Sequence, residues 1–212
     1  MGESRTFDRN AKGVREILST KFETFPFADE WYDAFGNPER RGVWFIWGNS
    51  GSGKTTFAMQ LAKKLCEYER VALNSLEEGA SLTMRNTLIR CGMMDVNKRF
   101  ILLDRENLEQ LSIRLKKQKS PGVVIIDSFQ YTMMSYRDYI SFKEQHRNKL
   151  LIFISHADGK MPNGRAAKSV MYDADLKIYV EGFRAFSKGR FIGPTEHYDI
   201  YKPKAQEYWG DR

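Results

Sequence analysis

From Val43 onward, short unbroken apolar runs alternate with segments of helical period. VWFIW (43–47), VALNS (71–75), FILLD (100–104), VVIID (123–127) and LLIFIS (150–155) have no polar alternation, as expected of strands covered on both faces. Between them lie helical patterns. After Lys54, one face carries Phe57, Ala58, Leu61, Ala62 and Leu65, while Lys63, Lys64, Glu67 and Glu69 point outward. ENLEQLSIRLKKQK predicts a second helix, ended by Ser120-Pro121. Strands alternating with helices predict an α/β fold with a mainly parallel central sheet flanked by helices. After Gly164, the alternating runs LKIYVEG, FRAFSKG and HYDIYK predict antiparallel strands added to the sheet edge near the C-terminus.

Ahead of the first strand, FETFPFADEWYDAFGNPERRG crowds aromatics between turn formers, and a polar arm of about twenty residues precedes it. The expected organisation is an arm and lead-in over 1–41, packed on one domain over 42–212. A chain of 212 residues with 42% hydrophobic content suits a single core. Lysine and arginine number 34 against 27 acidic residues, a net charge of +7, which favours polyanionic partners and equally serves solubility. Cys66 and Cys91 stand apart with no CxxC or Cys/His cluster, so neither a disulfide framework nor zinc is expected. No apolar run reaches the roughly 18 to 20 residues of a membrane span, and MGESRTFDRNAKG has no apolar signal-peptide core. The expectation is a cytoplasmic protein with no membrane partner.

The chemistry concentrates at strand ends. Gly48-Asn49-Ser50-Gly51-Ser52-Gly53-Lys54-Thr55 satisfies GxxxxGK[ST], follows an apolar strand and opens an amphipathic helix. Its glycines let backbone N–H groups surround phosphate oxygens at a helix N-terminus, with Thr56 next in line. Lys54 is expected to reach the β and γ phosphates of ATP, and the Thr55 hydroxyl to ligate Mg2+. Asp127 ends a buried strand, where a carboxylate can hold the magnesium shell. Glu77 or Glu78, directly after VALNS, is placed to orient or deprotonate an attacking water. The alternative for this pair is a solvated cap at a helix start.

With these elements assembled, the sequence resembles RecA-like ATPases over roughly residues 25–202, especially the motor domains of DnaB-type replicative helicases. The stretch NSLEEGASLTMRNTLIR is similar to a family strand that delivers the catalytic glutamate, which implies Glu77. LLIFISH places His156 where the family carries a polar γ-phosphate sensor, more usually Gln; the alternative is a structural hydrogen-bonder. Asp173 and Asp175 lie in a stretch like the family's Asp-Ala-Asp segment, or simply turn the chain. Ser187 to Thr195 resembles the Lys-x-Arg-x-Gly-Pro-Thr hairpin with one extra residue, which implies that Lys188 and Arg190 enter a neighbouring subunit's site. A basic solvated hairpin is the alternative.

The resemblance further implies a homo-oligomer, ring or filament, acting on single-stranded DNA in phage or mobile-element replication or recombination. Residues 132–148 and 157–169 fall where such proteins carry axis-facing loops. There Arg137, Lys160, Arg165 and Lys168 can meet phosphates, and Tyr136 or Tyr139 can stack on bases. Phe25-Pro26-Phe27-Ala28 matches a four-residue subunit-joining element, although packing on its own domain is favoured. The helical domain that precedes the motor in complete helicases is not expected, so helicase, loader and recombinase accessory stay open. The rival from another class is a nucleotide-dependent regulatory or scaffold module that touches no nucleic acid.

Overall fold

The five apolar runs become the parallel centre of one sheet. The computed structural model describes residues 11–210. Its strands are β1 (Gly42–Gly48), β2 (Val71–Ser75), β3 (Phe100–Asp104), β4 (Val123–Asp127), β5 (Leu150–Asp158), β6 (Met161–Pro162), β7 (Leu176–Glu181), β8 (Arg184–Gly189) and β9 (His197–Asp199). The helices are α1 (Val14–Ser19), α2 (Asp29–Phe35), α3 (Lys54–Leu65), α4 (Leu82–Arg90), α5 (Leu108–Lys116), α6 (Tyr136–Gln145), α7 (Arg165–Asp173) and α8 (Lys202–Trp209). The sheet runs β3-β2-β4-β5-β1-β7-β8-β9, with β6 pairing the end of β5.

Alternation along each strand divides the core into two layers. Trp44 and Ile46 of β1 join Phe57, Leu61 and Leu65 of α3 on one face. Val43, Phe45 and Trp47 meet residues of α5, α6 and α7 on the other. Phe25, Phe27 and Phe35 of the lead-in lie in the α3-side layer, with Phe25 edge-on to Trp44. Phe25 and Phe27 are buried in their own domain, so the two rings of Phe25-Pro26-Phe27-Ala28 are not presented to another subunit, while Pro26 and Ala28 are exposed.

The register positions the site. Gly48 lies opposite His156, and Ser75 opposite Asp127, so the phosphate-loop, Ser-Leu-Glu, Asp127 and His156 segments all emerge at one carboxyl edge.

Several expectations need correction. β7 runs parallel to β1, and of the three C-terminal strands it is the pairings of β8 with β7 and β9 that are antiparallel. Alternation reports one better-covered face, not direction, and α7 supplies the crossover that a parallel strand requires. Residues 132–148 are largely the helix α6, begun by a reciprocal Ser135/Asp138 capping box. Residues 157–169 are the tail of β5, a tight return through β6 and the start of α7. α5 ends at Lys116, before Pro121 acts, because Lys117 is already extended. Among the described residues, no helix is long and apolar enough to cross a membrane.

Candidate nucleotide-binding site

The loop after β1 turns where only a glycine fits easily. A Cβ at Gly48 would come within 2.2 Å of the Val180 carbonyl oxygen, and Gly53 starts α3 at φ +105°. α5 and α6 have side-chain N-caps, whereas α3 has none. Its first helical bond is Phe57 N–H to the Gly53 carbonyl at 2.9 Å. Among the described residues, the N–H groups of Lys54, Thr55 and Thr56 have no acceptor, and these three residues line a cavity of about 320 Å³. Uncapped donors at the positive end of a helix suit an anion. Ser50, Gly51 and Gly53 complete that wall, and Glu77, Glu78, Asp127, Ser128, His156 and Phe183 form the others.

Lys54 Nζ donates to the Asn49 carbonyl at 2.7 Å. Burial lowers its pKa, opposed by the charges of Asp127 and Glu77. The Asp127 carboxyl is pushed up to about 7, chiefly by burial and next by Glu77, with Lys54 opposing and Glu78 adding to the rise. Asp127 also organises the neighbouring turn, since its carbonyl accepts the N–H groups of Leu76 at 2.6 Å and Glu77 at 3.3 Å. Arg105 Nη2 donates to the Glu78 carbonyl at 2.6 Å, and Gly79 N–H to Ser75 Oγ at 3.0 Å.

Glu77 and Glu78 both reach the cavity with different company. Glu77 Oε2 lies 3.1 Å from His156 Nε2, whereas Glu78 accepts the Thr83 hydroxyl at 3.3 Å near the start of α4. His156 is fixed through its backbone: its N–H donates to Gln130 Oε1 at 3.2 Å, and its carbonyl accepts Asn163 N–H at 2.9 Å. Gln130 Nε2 in turn donates to Ser155 Oγ and the Asn163 carbonyl. Sequence reasoning missed Gln130 and Phe183. Neither belongs to a motif, and only the turn after β4 and the β7–β8 turn bring them to the site.

The protein's donor set fits magnesium. Thr55 and Asp127 offer hard oxygen donors of the kind that cation takes, and the buried Ser52 and Ser128 hydroxyls have no partner. Among the described residues, no cluster of three or more His, Cys, Asp or Glu forms an all-protein cage. Mg2+ characteristically takes one or two protein oxygens and completes its shell with phosphates and water.

Lys188 and Arg190 lie elsewhere. β8 runs away from the cavity, so Gly189 pairs with Leu176 at the opposite sheet edge. Arg190 Nη1 pairs with Asp175 Oδ1 at 2.6 Å, and Lys188 Nζ sits 5.8 Å from the Tyr179 ring centre. Asp175 also accepts the Val43 N–H at 3.1 Å, and Asp173 accepts the Tyr139 hydroxyl and Lys143 Nζ, so both aspartates fasten the fold. The base-stacking expectation fails for Tyr139, which is fully buried; Tyr136 is exposed.

A glycine loop closing on an uncapped helix, with a carboxylate two strands away, defines a P-loop nucleotide-binding protein. The chain belongs to the ATPase family associated with various cellular activities (AAA), whose model matches residues 44–206. It is thus a nucleotide-binding ATPase domain. No curated protein matches the chain at a significant level.

Proposed function

We propose that this chain is a Mg2+-dependent, RecA-like ATPase, nearest in organisation to DnaB-type motor domains, which assembles with copies of itself and couples ATP hydrolysis to single-stranded DNA. The observation that carries the reading is the convergence of Lys54, Asp127, Glu77 and His156 on one cavity. Backbone N–H groups from Gly51 to Thr56 and the Lys54 ammonium hold the phosphates, while Thr55 and Asp127 hold the metal. Bound Mg2+ neutralises charge on the phosphate oxygens. Glu77 accepts the proton of the attacking water, and His156 orients that carboxylate from the far side of the cavity.

Lys188 and Arg190 belong to the same reading through a neighbouring copy. The edge that bears them is about 13 Å along the sheet from the P-loop edge, taking four residues of strand rise, so they cannot serve their own site. Placed against an adjacent copy's phosphates, such cations stabilise developing charge, an effect worth about 10³ to 10⁵ in rate. Arg137, Lys160 and Arg165 are exposed on elements that leave the nucleotide edge, with Tyr136 beside them, and suit backbone phosphates and a stacked base.

ATP turnover measured with and without single-stranded DNA at two salt concentrations tests the proposal. Stimulation that weakens at the higher salt is the expected result. Turnover indifferent to DNA, together with no salt-sensitive binding, would leave a nucleotide-dependent regulatory module.

A further inference from the structure

A second cavity, of about 370 Å³, opens at the sheet edge opposite the nucleotide site. The parallel strands explain its position. β4 begins just after Ser120-Pro121-Gly122 and β5 just after Lys149, so the turns that follow α5 and α6 meet beneath the sheet. Lys116, Lys117, Lys119 and Lys149 converge there around Ser120 and His146, and no carboxylate lines the space.

Helix-end electrostatics account for part of this charge, because Lys116 lies in the last turn of α5 and complements its negative end. They do not account for Lys119, which stands beyond the helix in the left-handed region at φ +60°, with Arg70 Nη1 bonded to its carbonyl at 2.7 Å. Among the described residues, none of the four lysines pairs with a carboxylate. Glu69, the acidic group acting on Lys149, faces Arg40 at 3.8 Å. Lys149 Nζ donates to Ser120 Oγ at 2.8 Å, which holds one cation at the cavity wall. His146 is only 2% exposed, and its Nε2 meets Ser112 Oγ at 2.9 Å, so a buried polar ring backs the site. Like charges gathered with no carboxylate among them repel one another, and a ligand bearing several negative oxygens relieves that repulsion while accepting hydrogen bonds from the lysine ammonium groups.

We infer that this cavity is a phosphate-group site separate from the nucleotide pocket, filled either by phosphodiesters of a single-stranded nucleic acid or by a free polyphosphate. The strand length between the two sites, about 16 Å for five residues, allows both to be occupied together. This assignment stands independently of the DNA-coupled reading, because a free polyphosphate satisfies the same lysines.

The test uses the full chain carrying Lys54→Ala, which disables the P-loop, with and without Lys117→Gln and Lys119→Gln. Fluorescence anisotropy follows a labelled oligothymidylate across a salt series, and calorimetry follows pyrophosphate. A tenfold or greater loss of oligothymidylate affinity, with a salt slope shallower by about 1.4 for two lost phosphate contacts, assigns the site to nucleic acid. A comparable loss confined to pyrophosphate assigns it to a free anion. Unchanged affinity and slope for both probes, in variants whose thermal unfolding matches the parent, would overturn the inference.

Discussion

Glu77 Oε2 and His156 Nε2 meet at 3.1 Å, a carboxylate from the end of β2 touching an imidazole from β5 across the intervening β4. The contact gives the two residues separable roles. Glu77→Gln keeps the shape but removes the proposed base, so single-turnover hydrolysis is expected to fall about 10²- to 10⁴-fold while ATP affinity changes little. Glu78→Gln, whose carboxylate serves Thr83, is expected to cost less than about tenfold. Equal losses in the two variants, read by rapid quench, would remove the assignment of Glu77.

His156→Ala leaves Glu77 without its partner and is expected to lower kcat with little change in KM, as follows if the imidazole positions the proposed base. His156→Gln, which restores a donor, is expected to recover much of the loss. Steady-state kinetics decide this, and an effect confined to KM would instead make His156 a nucleotide-binding group.

Asp127 links the site to pH. Its folded pKa of about 7 lies above that of an unfolded aspartate, so the folded chain binds the proton more tightly. The resulting contribution to stability is fully present below the unfolded value, about 4, and is lost as pH rises through 7. In EDTA without nucleotide, Asp127→Asn is therefore expected to be more stable than wild type at pH 8, by on the order of 1–3 kcal/mol, with the gap closing toward pH 4. Urea unfolding at the two pH values checks the sign. If Asp127 holds the metal as proposed, Mg-nucleotide affinity of the wild type is expected to rise from pH 6 to 8 as its carboxylate ionises.

Mixing inactive subunits probes the opposite sheet edge. Lys54→Ala and Arg190→Ala proteins, each inactive alone, are expected to restore part of the activity when combined, because some interfaces then pair an intact P-loop with an intact Arg190. No recovery across mixing ratios would mean that Arg190 serves only its ion pair with Asp175.

Buried aromatics give a stability check. Phe25→Ala is expected to cost about 3–5 kcal/mol in urea unfolding, since the ring is wholly enclosed by its own domain. Tyr139→Phe removes a buried hydroxyl from Asp173 and is expected to cost about 1–2 kcal/mol while leaving DNA binding unaltered.

Much of this architecture was legible in the sequence because buried strands write themselves as apolar runs. VALNS, FILLD and VVIID coincide with β2, β3 and β4, and the stripe from Phe57 to Leu65 falls within α3. Less legible was α7, whose inner face is Ala167, Val170 and Met171 and so shows a faint stripe. Without that helix, the direction of β7 was lost as well. Tyr139 looked like an available ring because nothing in its neighbourhood announces that Asp173, thirty-four residues later, takes its hydroxyl. At the site, motif spacing named Lys54, Thr55 and Asp127. The Glu77–His156 contact and the bridging role of Gln130 depend on sheet register, which no local pattern encodes.

In the proposed function, the loop from Gly48 to Thr55 and the Asp127 carboxylate act together on a magnesium-bound triphosphate. Calorimetric titration of the wild type, Lys54→Ala and Asp127→Asn with ATP, each with Mg2+ and with EDTA, tests it most directly. Tight, magnesium-dependent binding is expected of the wild type, weak binding of Lys54→Ala under both conditions, and loss of the magnesium dependence in Asp127→Asn. Wild-type affinity that ignores magnesium, or that survives both substitutions intact, would contradict it.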